Sequence, residues 1–263
     1  MYRMLGRRGF VRRDARPSTL TPAPTMARGH IPDEPMTVDA PQTLTIAAGE
    51  FLMGSDDAAG NESPAHLVWV DAFAVSPYAV TTEEYARFLR ATGHVAPPLW
   101  GSEGFADARQ PVVAPSWHDA VAYCAWLSEA AGQRYRLPTE AEREKAARGG
   151  GIAKYPWGDD LPAEHRGGRD TALEPVDAYE PNGYGLYGMA SGVHEWCADW
   201  YADDYYAVSP SRNPTGPASS PRKVARGGSW RHHVRFTRCA ARSALAPDKQ
   251  FTDFGFRVVR TLG

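Results

Sequence analysis

Between Gly227 and Ser243 the chain reads GGSWRHHVRFTRCAARS. Ser229, Trp230, His232 and His233 fall within five positions of one another. A hydroxyl, an indole and two imidazoles this close suit a small set of chemistries. Imidazole moves protons near neutral pH or binds a borderline metal ion through a neutral nitrogen. A serine attacks only when a base takes its proton. No motif places an Asp and a His in the roles that a Ser–His–Asp triad needs. Ser229 therefore reads as a hydroxyl that faces a bound ligand, not as an activated nucleophile. Adjacent residues of an extended segment point to opposite sides, so His232 and His233 are not equal candidates, and His233 is the weaker ligand.

The other reactive groups are sparse. Cys124, Cys197 and Cys239 are an odd, widely spaced set, which is no disulfide framework. That usage suits a reducing compartment, or an exported protein that does not depend on disulfides, and of the two a cytoplasmic location is expected. The formal net charge of −2 gives no electrostatic case for a nucleic acid or an anionic membrane as partner. No stretch approaches the roughly 20 apolar residues that span a bilayer. Residues 1–42 are Arg-rich, then Pro- and Thr-rich, without an apolar core, so they read as a disordered tail and not as a secretory signal.

Something must position the loop at 227–243. A hydrophobic fraction of 43% is enough for a core, while 25 Gly, 22 Pro and 8 Trp point to irregular backbone pinned by aromatic packing. TLTIAAGEFLMGSD alternates apolar and polar residues into a Gly-Ser-Asp turn and predicts a strand. HLVWVDAFAVSPYAV predicts a strand or a strand pair. Three helices carry their own start and stop signals. Thr81 precedes Glu84 by three residues and Gly93 ends the run, with Tyr85, Phe88 and Leu89 on the buried face. Ser116 and Asp119 open a second helix that stops at Gly132, with Ala120, Val121, Cys124, Leu127 and Ala131 as its apolar stripe. Thr139 and Glu142 open a third that ends in glycines. Residues 150–226 read as turns, aromatics and prolines, and RVVRTL as a final strand. The expectation is one α+β domain over residues 43–263.

The phrases FLMGSD, ESPAHLVWVDAF, RLPTEAEREKAARGG, YPWGDDLP, PNGYGLYGMASGVHEWCADW, RGGSW and RCAARS…FGFRVVR occur in the order of one known family. The chain resembles the formylglycine-generating enzymes, or sulfatase-modifying factors, over residues 43–261. The resemblance implies a single domain of low secondary-structure content, related to the C-type lectins. It also implies several activities: copper-dependent oxidation of a sulfatase cysteine, iron-dependent carbon–sulfur bond formation, maturation of pigments or siderophores, and ligand binding without chemistry. Fold does not choose among them.

Carried over residue by residue, the resemblance argues against the best-known reaction. The family's copper(I) is held by two thiolates just after GGS. Here His232 stands at the first, the loop to Cys239 is shorter, and nothing matches the second. Cys124 and Cys239 match structural half-cystines whose partners correspond to Val258 and Ala147. The tryptophan of the family's GNVWEW motif is His194 in SGVHEW, beside Trp196. If the fold holds, His194, His232 and His233 converge on a transition metal (Fe, Cu or Zn), or else line a wet ligand pocket with no metal. Ser229, His232 and His194 are the candidate catalytic residues. His233, Trp230, Trp196 and Asp253, which stands where an Asn precedes GFR, are candidate ligand contacts. The family's Ca²⁺ loop corresponds to Gly188, Ser191, Val193 and Glu195; the carbonyls and Glu195 survive, and Gly188 has no amide to offer. Arg242 and Arg257 read as structural, bonding carboxylates or carbonyls. His66 reads as a structural strand histidine, and His118 and His165 as surface residues. Arg143 replaces the Trp of TEAEWE on a helix face, either as a partner surface or as a solvated site. Three functions stay open: an oxidoreductase-like enzyme acting on a protein or small molecule, a non-catalytic ligand- or protein-binding module, and a maturation factor for a partner protein.

Overall fold

The computed structural model describes residues 40–58, 60–160 and 172–262. The expected tail, apart from its last three residues, and His165 lie outside them. The described chain is α+β, with three helices and ten short strands in three sheets. The segment expected as one strand is two. β1 (Leu44–Ile46) pairs with β4 (Phe73–Val75), whereas β2 (Gly49–Met53) pairs with β3 (His66–Val70). The chain changes sheets between β1 and β2, so no single strand can serve both partners.

All three helices begin and end where their caps predict. α1 (Thr82–Thr92), α2 (Trp117–Ala131) and α3 (Glu140–Arg148) each have a complete capping box at the N-terminus and a left-handed glycine at the C-terminus. On α1, Tyr85 and Phe88 are buried, with Leu89 only partly so. On α2 the buried set is Ala120, Tyr123, Cys124 and Leu127, a regular helical stripe. Val121, expected in that stripe, is 39% exposed, because it lies a full residue off the buried face. The stripe packs against Trp196, Phe254, Phe256 and Val258 in one core cluster.

α3 departs furthest from its composition. EAEREKAAR looks like a surface helix, yet all nine residues are buried. It packs against β2 and β3 and also against β6 (His194–Trp200) and β7 (Lys223–Arg226), so no face is left for water. Its charges are paired inside instead. Arg148 meets Glu144 at 2.6 Å, and Arg226 pairs with Glu144 and Glu140. Lys145 Nζ donates to the carbonyls of Ala47 and Gly49 at 2.8 and 2.9 Å. Arg143 is therefore neither a partner surface nor a solvated position; it is 1% exposed.

β6 and β7 lie inside the region expected to hold only turns. They form the middle of a four-stranded sheet with β8 (Arg242–Leu245) on one side and β9 (Phe254–Gly255) on the other. β9 runs parallel to β6, with His194 opposite Phe254. β10 (Val259–Thr261) closes the first sheet between β4 and the short β5 (Tyr135–Arg136). This puts the start of β6, the loop after β7 and the approach to β9 side by side.

Candidate functional site

Backbone hydrogen bonds lash those three segments together. Trp230 N donates to Gly192 O at 2.8 Å, and His194 N to Asp253 O at 2.7 Å. The loop leaves β7 through Gly227 and Gly228, both at positive φ (96° and 68°). A Cβ on Gly228 would lie 2.4 Å from Thr237 Cγ2, and one on Gly227 2.6 Å from Arg143 Nη2. The paired glycines are thus required by backbone conformation and by close approach together. A turn follows, closed by His232 N donating to Ser229 O at 2.9 Å.

The turn brings His232 onto His194. Nε2 of His194 and Nδ1 of His232 share a hydrogen bond of 2.9 Å. Asp253 Oδ2 lies 3.5 Å from the other ring nitrogen of His232. Candidate ligand atoms of His194, His232 and Asp253 all fall within 4.8 Å of one another, and no other such group of three occurs among the described residues. His194 and Asp253 are buried and His232 is half-buried. Burial, then the neighbouring His232 and the Arg143 charge, push the His194 imidazole down to about 3. It is neutral at any ordinary pH, the form a metal ligand requires. Two buried polar atoms beside this cluster have no hydrogen-bond partner: His194 Nδ1 and Ser229 Oγ. Ser229 is 3% exposed and has no base within bonding distance, which agrees with its reading as something other than a nucleophile.

Two expected members do not join the site. His233 is exposed, and its Nδ1 accepts the Arg235 amide at 3.2 Å, capping the single turn at Val234–Phe236. Trp196 is fully buried, with Nε1 donating to Pro115 O at 3.0 Å and its ring against Phe254. It is a core residue. Trp230 keeps a wall position: it packs on Ala79, Val113, Leu173 and Val193, and its Nε1 reaches Thr252 O at 3.3 Å.

The calcium expectation fails on charge. Glu195 is 1% exposed. Its Oε2 accepts Arg143 Nε at 2.7 Å and Arg257 Nε at 3.0 Å, and its Oε1 accepts Arg257 Nη2 at 3.0 Å. Burial alone would raise this carboxyl; the two guanidiniums outweigh it and hold it below the usual range. Both oxygens are taken by fixed cations, which would repel Ca²⁺. Ser191, Val193 and Glu195 border a cavity of ≈ 20 Å³, room for about one water. The residues present do not assemble the six to eight oxygens that Ca²⁺ takes. Arg143 had one legible signal, its departure from TEAEWE, but nothing local showed that it pairs with Glu195.

Arg242 and Arg257 are structural as expected, each holding a buried carboxylate with two hydrogen bonds, Glu140 and Glu195 respectively. His66 is partly buried and rests on Pro64 O at 2.9 Å, and His118 is exposed. The cysteines are all free and buried, and burial pushes Cys124 and Cys239 up to about 12. None is a thiolate. Cys124 shares a core cluster with Val258, and Cys239 shares another with Ala147.

A four-stranded sheet, a glycine-led turn and a His–His–Asp group where three segments meet characterise this α+β domain. Residues 28–262 match the family model described as the sulfatase-modifying factor enzyme 1-like domain. The formylglycine-generating enzyme of Thermomonospora curvata is 36% identical across 81% of this chain and 91% of its own length. The inactive C-alpha-formylglycine-generating enzyme 2 of Mus musculus is 30% identical across 93% of this chain and 91% of its own. Among solved structures, PvdO from Pseudomonas aeruginosa superposes with a TM-score of 0.73 at 30% identity, covering 84% of this chain and 95% of that one. The chain belongs to the formylglycine-generating enzyme, or sulfatase-modifying factor, family.

Proposed function

We propose that this chain is an oxidoreductase-like member of the family that acts on a protein or small-molecule substrate without the copper–dithiolate route. A transition metal held by His194, His232 and Asp253 takes the place of thiolate-bound copper. The observation that carries this reading is the 2.9 Å approach of two imidazoles with a carboxylate beside them, at the position of the missing thiol. Neutral imidazoles and a carboxylate suit Fe, Zn or Cu(II), whereas Cu(I) prefers sulfur. Arg143 stands behind His194 and disfavours any proton on it. Ser229 offers a buried hydroxyl without a partner, suited to orient a bound group.

A second reading has one observation in its favour. Arg231, His233, Arg235, Phe236 and Phe251 are exposed on the loops around this group, a surface that suits recognition without chemistry. Elemental analysis of the purified protein, wild type against His194→Ala, separates the two. Bound transition metal in the wild type that is lost in the variant supports the enzyme. Wild-type protein that stays metal-free after reconstitution with Fe, Zn and Cu ends the metal-dependent reading and favours the binding module. In either case no formylglycine is expected on a sulfatase-derived cysteine peptide.

A further inference from the structure

We infer that the loop surface around His232 is a docking site for an acidic protein segment, whose carboxylates bind Arg231 and Arg235 and whose apolar side chains cover Phe236 and Phe251. This names the partner of the site proposed above and rests on that placement, but it requires neither a metal nor turnover.

Charge comes first. Residues 205–247 contain eight Arg and Lys and no Asp or Glu, in a chain whose formal net charge is −2. Most of these cations are already engaged within the fold. Arg226 and Arg242 hold buried carboxylates of α3, and Arg238 forks Glu62 at 2.7 and 2.8 Å. Lys223 is buried between two tryptophan rings, and Arg212 pairs with Asp71 at 2.6 Å. The two exposed arginines beside His232 are not engaged in this way. Arg235 has no ion pair among the described residues. The carboxylate facing Arg231 is that of Asp253, 3.8 Å away and beyond hydrogen-bond reach.

Both guanidiniums are nonetheless placed. That of Arg235 lies over the Phe236 ring, 4.6 Å from its centre, and that of Arg231 lies 5.9 Å from the centre of the Trp230 ring. An aromatic ring takes the face of a guanidinium and leaves its edge donors free. One donor of Arg231 goes to Thr252 Oγ1 at 3.1 Å, which fixes it further. The remaining edges suit a carboxylate, which accepts two parallel bonds from such a fork. The arginines stand on either side of the His232–His233 turn in the chain, so acids bound to them bracket the residue presented to His232.

An apolar component lies beside the charges. Phe236 and Phe251 are 47% and 48% exposed. The Phe236 ring centre is 6.1 Å from that of His232, and Phe251 packs on Phe254, which meets His194 at 5.0 Å. Apolar side chains of a partner that cover these rings remove them from water.

The surroundings select a short acidic segment over a long polyanion. Arg235 and Phe236 line a cleft of ≈ 860 Å³ together with Asp56, Asp57 and Asp159. These three carboxylates are exposed and repel a run of phosphates. A nucleic acid gains its affinity from many phosphate contacts along a basic face. A segment with two well-placed acids needs only the two arginines.

The probe is a library of random peptides displayed on phage and panned on the full-length protein without added metal. Selected sequences should carry two or more Asp or Glu beside an apolar residue. The strongest is then titrated by fluorescence anisotropy. Arg231→Glu and Arg235→Glu should each weaken it about tenfold or more, and added salt should weaken it as well. Arg90→Glu makes the same change of net charge on α1 and should leave the affinity unchanged. Matching circular dichroism spectra exclude misfolding as the cause. Enrichment of basic or uncharged sequences, or no enrichment, overturns the inference, as does an acidic peptide indifferent to both loop variants. A poly-dT strand that binds more tightly than the peptide also overturns it, in favour of a polyanion surface. Because metal is absent from these titrations, their failure leaves the metal reading standing, and a metal-free protein leaves the docking surface standing.

Discussion

Asp199 is the clearest test of charge at the residue scale. It is buried in β6, and its Oδ2 accepts the Glu140 amide at 2.9 Å. The nearby Lys223 does not bond it: Nζ reaches the Ala198 carbonyl at 2.8 Å and sits over the Trp117 and Trp200 rings at 4.0 and 3.7 Å. Burial first, then the Glu140 charge, hold the Asp199 carboxyl well above its ordinary value of 3.8. The folded protein keeps this proton where the unfolded chain has lost it. Stability from this group is therefore fully present below about pH 4 and declines as pH rises above that. Asp199→Asn accepts the same amide and never ionises. Its stability relative to wild type should rise from near zero at pH 4 to a clear gain at pH 7, read by urea unfolding across that range. A variant less stable than wild type by a constant amount at every pH would show that the carboxyl is ionised in the fold.

At the scale of elements, α3 shows how far composition can mislead. Six of its nine residues carry charge, and the helix is nonetheless the centre of the molecule. The capping box was legible, because Thr139, Glu142 and Gly149 act within one turn of their own backbone. Burial was not, because it depends on β2, β3, β6 and β7 closing around the helix. Arg143 carries the cost of that arrangement. It supplies one of two cations on Glu195 and also donates to Met189 O at 3.0 Å. Arg143→Met removes the charge at similar length and leaves a buried carboxylate with Arg257 alone. A loss of about 3–5 kcal/mol is expected in denaturant unfolding. A loss under about 1 kcal/mol, the value of an exposed pair, would contradict the buried geometry.

Across the whole molecule, cations surround the carboxylate of the expected calcium loop, and apolar side chains pack against cysteines expected to be unpaired. Arg143 and Arg257 neutralise Glu195, and free cysteines pack where bridges would have been. The melting temperature should accordingly be unmoved by added Ca²⁺, by a calcium-selective chelator and by reductant. A stabilisation by Ca²⁺ that saturates at one ion per chain would restore a calcium site.

Some of this protein follows from its sequence alone. The helix limits, the family, the need for GGS and the loss of the thiol pair are matters of local backbone chemistry and residue identity. Arg242 and Arg257 as carboxylate clamps were also legible, since a buried guanidinium needs such a partner. The tertiary structure alone decided the rest. The loop turns after Ser229, so His232 faces inward while His233 caps the next turn, and Asp253 arrives from another segment to take the place expected for His233. Side-chain direction at such a turn is set by contacts between residues dozens of positions apart, and no local pattern encodes them.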